Sequence, residues 1–151
     1  FTNQNNKIAK KTYLNDETAK YTLYFDGCSK GNPGKSGAGA VIYKDNDELW
    51  ANSLFVGNNN TNNESEYSGL IFGLEKAKEL NIENLDVKGD SMIVIKQMLG
   101  DYKVKSEKLL KLHKKAKNIA LSFITISYQH VYRDFNKRAD QLSNDGLLKC
   151  V

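Results

Sequence analysis

The stretch Tyr21-Thr-Leu-Tyr-Phe-Asp26 runs directly into Gly27-Cys-Ser-Lys-Gly-Asn-Pro-Gly34, and the rest of the chain is organised around this junction. The first segment has the aromatic and β-branched character of a strand, and the Gly/Asn/Pro segment after it predicts a turn. Asp26 is therefore expected at the end of an apolar strand, where a buried carboxylate is unfavourable unless a cation or hydrogen-bond donors receive it. Because Asp-Gly is also a common turn signal, a purely structural role for Asp26 stays open at this point.

The composition indicates one globular domain. The chain has 151 residues, of which 40% are hydrophobic and 26% charged. No apolar run approaches the roughly 20 residues that a membrane-spanning helix needs, so we expect no contact with a membrane. Two cysteines are too few for a disulfide framework or a cysteine-based metal cluster, and we expect free thiols in a reducing compartment.

The charge is mildly basic and unevenly distributed. The net charge of +4 is compatible with a polyanionic partner. Between residues 102 and 117 the chain carries seven lysines and a single acid, Glu107. This segment is either a solvated helix face or a surface that meets phosphates.

Alternating strands and helices are predicted after a polar segment. Residues 1–20 predict a flexible arm or linker, and residues 21–151 a single domain. Strands are predicted at 21–26, 37–44 and about 48–56, and their short connections make them antiparallel. A polar loop at 57–63 leads to a helix at 63–80, a strand at 85–89, helices at 92–99 and 107–121, a strand at 123–131 and a helix at 136–148. The order βββαβααβα predicts an α/β fold with a five-stranded mixed sheet flanked by helices.

Four acids fall at distinctive places in this pattern. Besides Asp26, Glu66 lies one turn into the first helix, Asp90 follows the fourth strand and Asp140 lies in the last helix. On its own, Asp90 could equally be the N-cap of the next helix, and Asp140 an ordinary surface acid. If all four converge, they repel one another strongly unless divalent cations lie among them.

Together with their neighbours, these acids form four motifs that resemble type 1 ribonuclease H. The motifs are Asp26-Gly27 with Gly31-Asn-Pro-Gly34, Thr61-Asn-Asn-x-x-Glu66-Tyr67, Gly89-Asp90-Ser91, and His130-Val-x-Arg133-x-x-Asn136-x-x-Ala139-Asp140. The resemblance covers about residues 21–148 and implies the ribonuclease H-like fold. It also implies an endonuclease that hydrolyses the RNA strand of RNA–DNA hybrids and leaves 5′-phosphate and 3′-hydroxyl ends.

The resemblance further implies a role for each matching residue. The four acids match carboxylates that bind two Mg²⁺ ions, with Mn²⁺ as an alternative ion. His130 matches a histidine that assists proton movement or product release, although a half-buried strand histidine would fit the same pattern. Contacts to the 2′-hydroxyl are matched by the backbone of Gly27, Cys28 and Ser29 and by Glu66. Asn32, Asn62 and Asn63 match residues that contact the minor groove, and Thr61 matches one that contacts a DNA phosphate.

The chain departs from the family pattern in two places. Many members carry a basic protrusion between the two helices that here are predicted at 92–99 and 107–121, and the connection in this chain leaves no room for one. It therefore resembles a compact form, in which lysines of the 103–117 segment could replace the missing phosphate contacts. Asn59 stands where relatives often have Arg.

The expected partner is an RNA–DNA hybrid duplex, bound by a monomer inside the cell, in the cytoplasm or nucleus. Two alternatives remain open. The chain could be a non-catalytic hybrid-binding module of the same fold, or the ribonuclease H domain of a reverse transcriptase polyprotein.

Overall fold

The computed structural model describes residues 18–149, so most of the predicted arm over 1–20 lies outside the described residues. The predicted order of elements, βββαβααβα, is confirmed. A single turn of 3₁₀ helix, Arg133–Phe135, precedes the last helix. The elements are β1 (Tyr21–Lys30), β2 (Gly34–Lys44), β3 (Asp47–Asn60), α1 (Asn62–Glu79), β4 (Asn84–Gly89), α2 (Met92–Leu99), α3 (Glu107–Ala120), β5 (Thr125–His130) and α4 (Lys137–Leu147).

The strands form one five-stranded mixed sheet in the order β3-β2-β1-β4-β5, as predicted. The first three strands pair antiparallel through short hairpins. β4 pairs parallel with β1, and β5 pairs parallel with β4. The central strand β1 thus has an antiparallel neighbour on one side and a parallel neighbour on the other, and β1, β4 and β5 run in the same direction.

Two strands run further than the sequence indicates. β1 continues past Asp26 to Lys30, because Gly27–Lys30 pair in register with Lys35–Ala38 of β2. The turn is confined to residues 31–33, where Gly31 adopts a positive φ of 94°. The prediction that Asp26 ends the strand is therefore wrong: it lies within β1. Similarly, residues 57–60, predicted as loop, belong to β3, because pairing with β2 outweighs the low strand propensity of asparagine.

Helices cover both faces of the sheet. α1 buries the apolar side predicted from its periodicity, with Tyr67, Leu70 and Leu74 fully buried, against a face that includes Leu23 and Phe25 of β1. α4 covers the opposite face, where its apolar residues pack against β2 in a second, smaller cluster. None of the helices between residues 18 and 149 combines the length and the apolar character that a membrane crossing requires.

Candidate active site

The register of the parallel strands places the middle of β1 beside the C-terminal ends of β4 and β5. Phe25 of β1 is paired with Gly89 of β4, which is paired with His130 of β5. Asp26 and Asp90 are the next residues along their strands, so their carboxylates emerge side by side. Ser91, and not Asp90, is the N-cap of α2: its hydroxyl accepts a hydrogen bond from the Val94 amide at 3.3 Å. The alternative that Asp90 caps this helix is therefore wrong, and its carboxylate faces the cleft beside the strand ends.

Glu66 reaches the same place because α1 lies directly on β1. A Cβ atom on Gly27 would be 2.2 Å from the carbonyl carbon of Ser65, and one on Gly69 would be 2.4 Å from the carbonyl oxygen of Asp26. Only glycine at these two positions permits so close an approach of helix and strand. The Gly27 amide consequently donates a hydrogen bond to Oε1 of Glu66 at 2.9 Å, which fixes the side chain against the sheet.

The carboxylates converge from separate elements. One oxygen each of Asp26, Glu66 and Asp90 lie within 4.8 Å of one another. Asp140, in the first turn of α4, borders the same open cleft of about 530 Å³. One turn later on α4, the Ser143 hydroxyl donates a hydrogen bond to Oδ2 of Asp26 at 3.2 Å, so α4 also contacts the cluster directly.

Burial makes the charged form of this cluster unfavourable. Burial, together with the negative charge of Asp90, raises the pKa of Asp26 from 3.8 to about 7. The pKa of Glu66, which is 8% exposed, is raised well above its ordinary range by burial and by its two acidic neighbours. Burial also raises the pKa of Asp90. A positive ion among the three would relieve both the desolvation and the repulsion.

The donor set fits a hard divalent cation. All the potential ligand atoms are carboxylate oxygens, which such ions prefer. Oε2 of Glu66 is buried and has no hydrogen-bond partner among the described residues. An unpaired buried acceptor is costly, and a cation is a natural partner for it.

The other residues predicted for this site fall into two adjoining clefts. Gly27, Cys28, Ser29 and His130 border the cleft of the four carboxylates. His130 is half-buried, and its ring lies edge-on to Tyr132 at 5.7 Å between ring centroids. Asn32 and Thr61 border instead a second cleft, also of about 530 Å³. Two residues border both clefts and join them, Asn62 and Asn63.

Residues that border the second cleft also have structural contacts. Oδ1 of Asn32 accepts a hydrogen bond from the Asn62 amide at 3.0 Å, which ties the β1–β2 turn to the start of α1. Thr61 is the N-cap of α1 and forms a reciprocal capping box with Glu64. A structural role and a contact with a ligand are compatible at these positions.

The sequence did not identify two residues whose hydrogen bonds hold the carboxylate cluster in place. Asn136, 1% exposed, donates from Nδ2 to the carbonyl oxygen of Phe25 at 2.9 Å and also lowers the pKa of Asp90 by hydrogen bonding. It is part of the His130–Asp140 motif, but the motif alone does not indicate which group its side chain hydrogen-bonds. Ser143, which contacts Asp26, lies outside every motif, so no signal in the sequence indicates it.

Arg133 belongs to the same motif. It borders the carboxylate cleft, and its guanidinium lies 3.8 Å from Oδ1 of Asp140. The guanidinium is largely exposed, so its contribution to stability is small.

Comparisons with known proteins agree with this geometry. The family model described as "Reverse transcriptase-like" matches residues 24–146. The chain is 42% identical over 129 residues to a bifunctional protein of Mycobacterium tuberculosis, with 85% of this chain and 35% of that protein covered, so it spans about a third of that relative's length. It is 33% identical over 142 residues to Ribonuclease H of Pseudomonas syringae pv. syringae, with 83% and 90% covered.

A solved structure supports the same assignment. LC11-RNase H1, determined in complex with an RNA/DNA hybrid, superposes with a TM-score of 0.81 at 32% identity, covering 86% of this chain and 98% of that one. The fold and the site define an α/β domain with a carboxylate cluster suited to divalent cations. The chain belongs to the type 1 ribonuclease H family, and its short connection between α2 and α3 makes it a compact member without a basic protrusion.

Proposed function

We propose that this domain is an endonuclease that hydrolyses the RNA strand of RNA–DNA hybrids and leaves 5′-phosphate and 3′-hydroxyl ends. The observation that carries the proposal is the convergence of Asp26, Glu66, Asp90 and Asp140 on one open cleft, with a buried oxygen of Glu66 left unpaired. Similarity to a ribonuclease H solved with an RNA/DNA hybrid supports the choice of substrate.

The four carboxylates would hold two Mg²⁺ ions, with Mn²⁺ as an alternative. When bound, such ions activate water for attack and stabilise negative charge on the phosphate. The chain's own part is to hold the ligands in place: the Gly27 amide fixes Glu66, and the Ser143 hydroxyl fixes Asp26. Burial of Asp26 and Glu66 places their carboxylates in less polar surroundings, which strengthens their attraction for cations.

His130 is proposed to assist proton movement or product release. It stands at the end of β5 and borders the cleft of the four carboxylates, within reach of a phosphate bound there. An imidazole can act as a general acid or base, which suits proton transfer to a leaving oxygen.

The two adjoining clefts suit the two strands of a hybrid. The β1 segment Gly27–Ser29 borders the carboxylate cleft, where its backbone could read the 2′-hydroxyl of the RNA strand. Asn62 and Asn63 border both clefts and Asn32 borders the second, so these three could enter the minor groove, and Thr61 could contact a phosphate of the DNA strand.

The proposal extends to the organisation of the protein. Residues 21–151 would be the catalytic domain, acting as a monomer, and residues 1–20 an arm or linker. Hybrids of RNA and DNA arise where nucleic acids are copied, so we place the protein inside the cell, in the cytoplasm or nucleus.

Cleavage of a set of labelled duplexes tests the proposal. RNA–DNA hybrid, double-stranded RNA and double-stranded DNA would each be incubated with Mg²⁺ or with EDTA, and each strand followed separately. We expect Mg²⁺-dependent cutting of the hybrid's RNA strand alone, and loss of cutting in Asp90→Asn. Asp145→Asn is the matched control, because it neutralises an exposed acid on α4 that does not border the cleft.

Mg²⁺ binding gives a second readout that does not depend on turnover. Isothermal titration should show Mg²⁺ binding to the wild type and to Asp145→Asn, and a large loss of affinity in Asp90→Asn. Tight binding of the hybrid without cutting, in either Mg²⁺ or Mn²⁺, would overturn the proposal and favour a non-catalytic hybrid-binding module.

A further inference from the structure

A third depression, of about 430 Å³, begins where the carboxylate cleft ends. Tyr132, Arg133 and Asp140 border the carboxylate cleft, and residues 134–139 between them border this depression, which we call the α4 groove. A polymer bound over the carboxylates therefore meets the α4 groove if it continues past Tyr132.

The α4 groove lies on the same face of the sheet as the carboxylate of Asp26. Thr22, Tyr24 and Asp26 are alternate residues of β1, so their side chains project from one face. Thr22 and Tyr24 line the groove, and Asp26 lines the carboxylate cleft. The two depressions thus follow each other along one strand.

Two exposed aromatic rings flank the passage from the cleft to the groove. Tyr132 borders the cleft and is 75% exposed, and Phe135 borders the groove and is 71% exposed. The Phe135 amide donates to the Tyr132 carbonyl oxygen at 2.9 Å, so a single turn separates the two residues. Inside the groove, the half-buried rings of Tyr24 and Tyr43 lie edge-on, with 5.7 Å between their centroids. These rings offer apolar faces to a ligand with flat faces of its own.

Cations outnumber acids in the lining of the groove. Arg138 is occupied by Glu48, to which its guanidinium donates at 3.1 and 3.0 Å. Within residues 18–149, no carboxylate lies within 4.0 Å of the amines of Lys88 and Lys137. Aromatic faces combined with unpaired amines suit a chain of bases and phosphates. The charged residues of the lining are the cations Lys20, Lys88, Lys137 and Arg138 and the acids Asp45 and Asp134.

We propose that the α4 groove binds single-stranded nucleotides where the RNA strand continues beyond the end of the hybrid. The bases stack on Tyr132 and Phe135, and Lys88 and Lys137 meet the phosphates. The ligand is single-stranded because the bases of a duplex stack on one another, so an aromatic side chain reaches a base face only in an unpaired strand. It is the RNA strand because that strand lies over the carboxylates. The inference therefore rests on the proposed function.

Equilibrium binding isolates this contact from catalysis. Four fluorescent hybrids would be titrated in EDTA, where no cutting occurs: one blunt, one with the RNA strand extended at its 5′ end, one with it extended at its 3′ end, and one with the DNA strand extended. The wild type should bind one RNA-extended hybrid at least roughly tenfold more tightly than the blunt hybrid, a gain that stacking of one base can supply. Only one RNA end should give this gain, because the hybrid crosses the cleft in one direction. Abasic sites in the extension should remove most of it, since they keep the phosphates but not the stacking.

Substitution of Phe135 tests the ring that lies outside the carboxylate cleft. Phe135→Ala should lose most of the gain from the extension, while its affinity for the blunt hybrid stays within about twofold of the wild type. Phe135→Trp, which keeps an aromatic face, should retain the gain. Tyr102→Ala is the matched control, because Tyr102 is 49% exposed and borders neither the cleft nor the groove, so it should behave as the wild type.

Salt dependence tests the phosphate contacts. Each phosphate of a single strand that a cation neutralises contributes about 0.7 to the slope of log affinity against log salt. Lys137→Gln should lower the slope for the RNA-extended hybrid by about 0.7 and leave the slope for the blunt hybrid unchanged. Lys114→Gln removes the same charge from a different groove, between α3 and β5, and its slopes should match the wild type.

The possible outcomes separate this inference from the proposed function. Equal affinities of the wild type for blunt and extended hybrids, equal gains from both RNA ends, or a gain that Phe135→Ala retains would each overturn the inference while cutting of the hybrid stands. Equal losses in Phe135→Ala and Tyr102→Ala would overturn it as well, because the groove would then have no specific part. A wild type that neither binds nor cuts the blunt hybrid would overturn the proposed function itself.

Discussion

Without metal, the acid cluster should make the folded protein less stable as the pH rises. The pKa of Asp26 is 3.8 ordinarily and about 7 in the folded protein, because the side chain is buried. Between these values the folded state binds more protons than the unfolded state, so the free energy of unfolding falls with increasing pH. At about 1.4 kcal/mol for each tenfold change in proton affinity, the loss amounts to about 4 kcal/mol.

Asp26→Asn isolates this effect, because it removes the ionisable group and nearly preserves its shape. Unfolding by urea would be followed by circular dichroism in EDTA at intervals between pH 4 and pH 8. Relative to Asp26→Asn, the wild type should lose about 4 kcal/mol over this interval, most of it by pH 7. Asp145→Asn, which removes an exposed acid, should give a curve parallel to that of the wild type.

Parallel curves for the wild type and Asp26→Asn, within about 1 kcal/mol at every pH, would refute the reasoning, since the carboxylate would then titrate alike in both states. Addition of Mg²⁺ provides a further test. Because a ligand that binds only the folded state stabilises it, Mg²⁺ at pH 8 should raise the stability of the wild type more than that of Asp26→Asn.

Other substitutions test the packing that supports the site. Gly27→Ala would place a Cβ 2.2 Å from the Ser65 carbonyl carbon, and we expect a loss of about 1–3 kcal/mol and a lower melting temperature by calorimetry; an unchanged melting temperature would contradict the close approach. Tyr67→Phe removes the 2.6 Å hydrogen bond to Oε1 of buried Gln97 and should cost about 1–3 kcal/mol in urea unfolding. Asn136→Ala removes the buried donor to the β1 carbonyl, and Mg²⁺ titration should show weaker binding by a protein that still folds.

The fold could be predicted from the sequence wherever a local residue pattern is enough to define an element. The apolar period of α1 identified its buried side, and the short connections identified the antiparallel hairpins. The ends of β1 and β3 could not be predicted in this way. Residues 27–30 and 57–60 have the composition of turns, and they are strand only because β2 lies between them and supplies hydrogen-bond partners on both sides.

The four acids of the site could be predicted from the sequence, but the residues that hold them in position could not. Local motifs identify the acids, because each stands in a distinctive run of neighbouring residues, although Asp26 lies within β1 and not at its end. Which residue caps α2 could not be decided locally, since Asp90 and Ser91 are both good N-caps, and the backbone geometry selects Ser91. Asn136 and Ser143 contact β1 residues more than 110 positions away, a relation that only the folded chain contains.

The same close packing explains why the acids cannot move apart. An exposed carboxylate would turn toward water, but Glu66 is held by the Gly27 amide beneath a helix that lies on the strand backbone, so it cannot escape without separating α1 from β1. The cost of burying the acids, which raises the pKa of Asp26 and Glu66, is therefore borne by the folded state and offset by the core on either side of it. Cation binding, stability at neutral pH and the geometry of the cleft are consequently coupled, and a substitution that relaxes the packing should weaken all three together.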